Sequence, residues 1–273
     1  MPVLVIADLH LDLWLRAGCD PLASVDPEIW AGLEAVIIAG DLANKPKVSW
    51  PHMIRHLGRY VAPERIHLLP GNHDYYYHTL DGDARLAEIC AHGGAQFVQK
   101  REIVIGGTRF LCCTMWTDFA LYGDPASAMR TAEGDMNDYR CIRLASAGYR
   151  RIRPSDTAFV HADHRQWLEE RLKVPFPGQT VVMTHHCPHP DLISATNSLI
   201  NPAYGSDMTV LMEAYQPDLW LFGHTHHQLE DRVSRTIVRN VSLGYPSEVR
   251  GGGEAALLLR GLVETGCLSG DLT

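Results

Sequence analysis

Positive charge is scarce in this chain. Twenty-four Lys and Arg stand against 32 Asp and Glu, a formal net charge of −8. A grip on a phosphate polymer needs Lys and Arg set against the phosphates, so a nucleic-acid polymer is not the expected partner, although a small anion held by metals remains open. Long apolar runs are missing too. They reach four to seven residues, far short of the roughly 20 that span a bilayer, so no membrane partner is expected. The opening residues, Met1 to Asp8, lack the basic region and the length of a signal peptide and read as a first strand. The seven cysteines show no pairing pattern, and an odd count without a leader points to reduced thiols and a cytoplasmic setting. Repeats and low-complexity segments are absent.

What is present is an alternation of short apolar runs and amphipathic stretches. Strands are expected at 2–7, 35–39 and 65–69, with helices near 27–33, 49–61 and 83–92 between and after them. In the second helix Pro51 fits the first turn and Pro63 the stop. This β-α-β-α order argues for parallel strands with right-handed crossovers. A hairpin is expected around Gly106-Gly107, where Cys112 and Cys113 would face opposite ways along a strand. The polar stretch 116–160 has no clear strand and reads as a cap-like insertion of loops and short helices over the site. Regular order returns at a helix opened by Asp163 and Gln166, then a strand at 180–183, a helix capped by Ser206, and strands at 218–222, 236–241 and 254–260. The last three strands need no parallel crossover and can be antiparallel. The fold class is α/β, with two packed mixed sheets, helices outside and one domain over 1–273.

Five of the apolar runs end in chemistry. They run into Ala7-Asp8-Leu9-His10, Ala39-Gly40-Asp41, Pro70-Gly71-Asn72-His73-Asp74, Thr184-His185-His186 and Gly223-His224-Thr225-His226. Strand ends are where open α/β sheets place their ligands. Carboxylate, imidazole and amide oxygen form a mixed N/O donor set that suits Mn, Fe or Zn better than Ca, and no thiolate cluster suggests structural zinc. In extended chain, Asp8-x-His10 and His224-x-His226 would each turn both side chains to one side.

With these motifs in order, the chain resembles the calcineurin-like metallophosphoesterases from Asp8 to a last strand near Leu259. It is most similar to the small bacterial cytosolic type, through Thr184-His185-His186, Gly223-His224-Thr225-His226 and Gly244-Tyr245-Pro246. The resemblance implies a four-layer α/β/β/α sandwich and a centre of two divalent or mixed-valent ions that hydrolyses phosphate esters. It assigns Asp8, His10 and His226 to one ion and Asn72, His185 and His224 to the other, with Asp41 bridging both. Two such ions would turn a shared water into hydroxide and neutralise charge on the phosphoryl oxygens.

His73 follows Asn72 and stands outside that ligand set, so it is the expected general acid for the leaving alkoxide. Many relatives carry a carboxylate three residues after the bridging aspartate to orient this acid. Here the position holds Asn44, so either Asn44 holds the ring or another carboxylate, such as Asp74, serves. The purple acid phosphatase tyrosine after Asp41 is also lacking. Among other histidines, His186 reads as support behind the ligands, and His161 and His164 as possible neighbours of the mouth. Substrate contacts are sought among Tyr75, Tyr76, Tyr77, Trp116, Asn137, Asp138, Tyr139, Arg140 and Arg143, and Cys187 reads as a packed thiol. The expected activity is hydrolysis of a small phosphomonoester or phosphodiester. The alternatives are a metal-dependent nuclease and a non-catalytic binding or scaffold protein on the same fold.

Overall fold

The computed structural model describes residues 1–194 and 198–266. In chain order the elements are β1 (Pro2–Ile6), α1 (Leu11–Arg16), α2 (Pro27–Gly32), β2 (Ala35–Ala39), α3 (Pro46–Leu57), β3 (Ile66–Leu69), α4 (Asp83–His92), β4 (Gln96–Phe97), β5 (Arg101–Ile105) and β6 (Thr108–Cys113). After them come α5 (Pro125–Asp135), α6 (Asp138–Cys141), β7 (Arg143–Leu144), β8 (Arg150–Arg151), α7 (Pro154–Leu172), β9 (Thr180–Thr184), α8 (Thr209–Tyr215), β10 (Leu219–Phe222), β11 (Glu230–Val233), β12 (Thr236–Asn240), α9 (Glu254–Leu258) and β13 (Leu262–Glu264).

The strands form two mixed sheets. One has the order β13-β1-β2-β3-β4, and β13 lies antiparallel on a parallel set. The other has the order β11-β12-β10-β9-β6-β5, with antiparallel β5 and β11 at the edges of four parallel strands. Period-two alternation divides each strand between two cores. In β1, Val3 and Val5 join the layer between the sheets, while Leu4 and Ile6 face the helices. In β6, Cys112 enters the inter-sheet layer and Cys113 the helix-covered one. Burial on both faces explains why these strands read as continuous apolar runs. The result is helices, sheet, sheet, helices, with every parallel strand of a sheet ending on the same side.

Several boundaries differ from the sequence expectations. Helix α3 begins at Pro46, so Pro51 lies inside it and Pro46 takes the first-turn role. Helix α7 starts at Pro154, nine residues ahead of Asp163: proline occupies its first turn and Asp156 accepts the Arg153 N–H at 2.7 Å. Thr209, not Ser206, opens α8, with the Asp207 carboxylate accepting the Thr209 N–H at 2.9 Å. The stretch expected as a strand at 254–260 is helical, since Glu, Ala and Leu favour helix strongly, and the closing strand is β13. Strand β10 is parallel to both β9 and β12, so the antiparallel expectation fails for 218–222; β12 is antiparallel only to β11, a strand the sequence reading did not include, and the closing β13 is antiparallel to β1. The stretch 116–160 carries α5, α6 and the start of α7, together with the small β7–β8 ribbon that the sequence did not reveal. No described helix is long and apolar enough to cross a membrane.

Candidate metal centre

Each strand that carried a motif delivers its polar residues to one edge, in a tight backbone conformation. Asp8, His10, Asp41, His224 and His226 all have positive φ, between 39° and 66°. Extended chain with a period of two therefore does not bring Asp8 to His10. The left-handed turn does, and Asp and His are among the few side chains that enter it with any frequency. Gly71 and Gly223 allow the close approach: a β-carbon on Gly71 would overlap Asp41 and the His185 ring, and one on Gly223 would overlap the Asp8 carboxylate.

The side chains converge in three overlapping groups, one of which joins His73 to His10 and Asp41. Ligand-type atoms of Asp8, His10 and His226 all lie within 4.8 Å of one another, as do those of Asp8, Asp41 and His185. Asp41 turns one oxygen to each side: Oδ2 is 3.8 Å from His10 Nε2 and Oδ1 is 3.5 Å from His185 Nε2. Asn72 Oδ1 lies 3.0 Å from the same His185 nitrogen, and the His224 ring stands 5.1 Å from the His185 ring. All seven residues expected as ligands, Asp8, His10, Asp41, Asn72, His185, His224 and His226, thus share one edge.

Hydrogen bonds aim these groups. Asp8 Oδ2 accepts from the His224 N–H at 2.8 Å and from Ser242 Oγ at 2.6 Å, which turns Oδ1 inward. His185 Nδ1 is held by the Ala39 carbonyl at 3.1 Å and His226 Nδ1 by Glu248 at 2.7 Å, which leaves each Nε2 facing the cluster. Asn72 donates its amide N–H to Asp138 at 2.8 Å, which directs its oxygen toward His185.

Burial sets the charge states. It drives His10, His185 and His224 below the ordinary imidazole range, the neutral form in which histidine can act as a ligand. His226 is the exception. Burial pulls it down as well, yet the Asp8 and Glu248 carboxylates carry it up to about 10. Asp41 is raised by burial and then by the neighbouring Asp8 and Asp74 carboxylates. Asp8 Oδ1, His10 Nδ1 and His224 Nε2 are buried without hydrogen-bond partners. Such orphans are rare because each costs the desolvation of a polar group. An all-N/O donor set that includes buried, unpartnered polar atoms fits divalent cations.

His73 stands beside this cluster. Its Nδ1 lies 3.0 Å from Asn44 Oδ1, its ring stacks on Tyr76 at 4.3 Å, and its Nε2 is 3.5 Å from the Tyr245 hydroxyl. Burial lowers it to about 3, with His185 adding to the effect. Asp74 does not hold the ring. Its carboxylate accepts the N–H groups of Asp41, Leu42, Ala43 and Gly71 and the Trp50 indole N–H, so it braces the loop beneath Asp41.

A cavity of about 880 Å³ opens over the cluster, with Asn137, Tyr76, Tyr204 and Tyr245 in its walls. Other residues expected there lie elsewhere. Arg140 donates to the Gly134 carbonyl and Arg143 to the Tyr149 carbonyl, and neither lines the cavity. Tyr75 is buried against Asp83 at 2.6 Å, Tyr139 contacts Thr157 at 3.3 Å, and Trp116 packs on His186. Asp138 is buried under Asn72 and Tyr76, out of a substrate's reach. His186 binds the Thr114 carbonyl at 3.3 Å, behind His224. His161 and His164 brace Met115 from the rear and do not line the cavity. Cys187 is buried and donates to the His189 carbonyl, with burial pushing its thiol up. The sequence reading missed Glu248 and Ser242, as well as the orienting role of Asp138. The nearest signal was Gly244-Tyr245-Pro246, just ahead of Glu248.

A sandwich of two sheets with an imidazole–carboxylate cluster at its strand ends defines a metallohydrolase-type architecture. The model of the calcineurin-like phosphoesterases matches residues 1–228. The chain belongs to that family, and so is a phosphoric ester hydrolase. It is 24% identical over 269 residues to uncharacterized protein L509 of Acanthamoeba polyphaga mimivirus, covering 89% of this chain and 91% of that protein. In structure it is similar to phosphopantetheinyl hydrolase from Mycobacterium tuberculosis, with a TM-score of 0.66, 17% identity and 90% of each chain covered. It also resembles a putative 5'-nucleotidase from Staphylococcus aureus, with a TM-score of 0.52 and 16% identity, over 88% of this chain and 48% of that one.

Proposed function

We propose that the protein hydrolyses a small phosphate ester, mono- or diester, with two divalent ions bound at this edge and His73 as general acid. The observation that carries the reading is Asp41, a buried carboxylate with one oxygen toward His10 and the other toward His185. Asp8, His10 and His226 would hold one ion and Asn72, His185 and His224 the other, with Asp41 shared. Mn, Fe or Zn suits the donors. Ions held there would supply Lewis acidity, acidifying water and neutralising charge on the phosphoryl oxygens.

The chain's own residues then handle the proton. Asn44 accepts from Nδ1–H of His73, which leaves Nε2 as the nitrogen facing the cavity. Burial favours the neutral ring, so the acid form would have to be sustained by the phosphate ester's negative charge beside Nε2. His73 would then give that proton to the departing alkoxide, a step worth about 10²- to 10⁴-fold. Tyr76 holds the ring plane by stacking, and Asp138 ties Tyr76 and Asn72 together through one carboxylate oxygen. The 116–160 insertion acts as a cap, supported by Asp135, Met136 and Asn137 in the cavity wall. The six described cysteines are all free, in keeping with a reducing, cytoplasmic setting.

A nuclease is disfavoured by the net charge of −8 and by a cavity wall without Lys or Arg among its described residues. The deciding experiment pairs elemental analysis with a screen of small mono- and diesters before and after chelation. Two ions per chain, loss of turnover on chelation and recovery with Mn²⁺ are expected. Full activity with no more than one bound ion would overturn the two-ion reading.

A further inference from the structure

A second cavity, of about 430 Å³, adjoins the first and shares three wall residues with it: His73, Tyr76 and Asn137. Its character is different. The larger cavity offers no Lys or Arg among its described lining residues and adds the carboxylates of Asp135 and Glu248. The smaller one is lined by Lys45 and Arg16, with Asp12 the sole carboxylate among its described wall residues.

Neither cation is engaged firmly. Arg16 reaches Asp12 only at 3.8 Å, with its side chain 74% exposed, an arrangement that contributes little. Lys45 makes no ion pair among the described residues and rests with Nζ 5.0 Å from the centre of the Tyr77 ring. Lys45 and Tyr77 both have positive φ, 54° and 62°. Strained backbone at non-glycine residues concentrates at functional sites. Lys45 also directly follows Asn44, the residue that holds His73.

His73 therefore stands in the wall between a cavity over the metal-type cluster and a cavity with weakly engaged cations. A general acid stands beside the bond to the leaving group. A leaving group that continues past His73 enters the second cavity.

We propose that this second cavity is a subsite for an anionic group on the leaving group, read by Lys45 and Arg16, so that the substrates are phosphate esters of alcohols bearing a further phosphate or carboxylate. This rests on the reading of His73 as general acid on an ester hydrolase. The phosphoryl group sits over the cluster, and the distal anion meets the ammonium and guanidinium beyond Tyr76. An uncharged alcohol gains nothing there.

The test uses the metal-reconstituted full chain and one alcohol series, a three-carbon chain ending in hydroxyl, carboxylate or phosphate, each as a phosphate monoester and as a methyl diester. The anionic members should exceed the hydroxyl member in kcat/KM by about tenfold or more, the scale of one or two charge-assisted hydrogen bonds. Comparing the carboxylate and phosphate arms tells which anion is read. Lys45→Gln with Arg16→Gln should bring the ratio toward one, and Lys45→Arg should restore it. A ratio near one in the unaltered protein, or a ratio that survives the double change, overturns the subsite while the hydrolase reading stands. Turnover of no member of the series overturns the proposed reaction, and the subsite with it.

Discussion

The two halves of the cluster are supported in different ways. On one side, Asn72, His185 and His224 are buried, and so are their supports: the Asp138 carboxylate, 2% exposed, and the Ala39 carbonyl. On the other side, His226 is backed by Glu248, whose side chain is 46% exposed. A buried support has no water to compete with it, so it fixes its ligand's direction firmly. An exposed carboxylate is partly screened and replaceable. The first half is preorganised by the core, and the second is finished by a surface loop.

Substitutions can break or sharpen that contrast. Asp41 belongs to both halves, so Asp41→Asn should abolish the difference by weakening both ion sites together. Turnover is expected to fall about 10³-fold, with elemental analysis showing less than two ions; full stoichiometry and a near-normal rate would count against a shared carboxylate. His73 belongs to neither half. His73→Asn should keep both ions, lose little rate on a nitrophenyl ester and lose ~10²-fold on an alkyl ester, whose alkoxide cannot leave unaided; equal losses on both would assign His73 another task.

Asp138→Ala acts on the buried half and also releases the Tyr76 hydroxyl beside His73. It frees the Asn72 amide to rotate and strands two donors, the Asn72 amide and the Tyr76 hydroxyl, so one of two ions should bind about 10- to 100-fold more weakly by calorimetry. The same change should lower stability in denaturant by roughly 1–3 kcal/mol. Glu248→Gln tests the exposed half, where an amide can still accept from His226. A loss of about tenfold in affinity for one ion, with little change in stability, is expected. If Glu248→Gln cost more than Asp138→Ala in either measurement, the contrast would be wrong.

The gathering of these polar residues at one edge was legible because each closely follows an apolar run, and strands buried on both faces that end in polar residues bring those residues to a common edge. The two mixed sheets were legible from the succession of apolar runs, and the opposed faces of Cys112 and Cys113 from the period of two. The positive-φ turns were not, since nothing in Asp8-Leu9-His10 distinguishes an extended triplet from a left-handed one. Glu248 and Asp138 escaped because they lie 22 and 66 residues from the groups they orient, and a hydrogen bond at that separation leaves no local pattern. Asp74 misled because adjacency to His73 suggested a partner, whereas five N–H donors had already claimed its oxygens.

The pairing of β1 with β13 has a bearing on biogenesis. Val3 lies opposite Val263, and Asp8 takes its orienting hydroxyl from Ser242, 234 residues further along. During synthesis β1 emerges well before β13 and Ser242, so its edge partner and the support of its carboxylate arrive late. An ion cannot nucleate this fold in the way zinc organises a finger peptide. Any ion held at this edge would be captured only after residues far apart in the chain have met, so the nascent chain would reach its topology without that assistance.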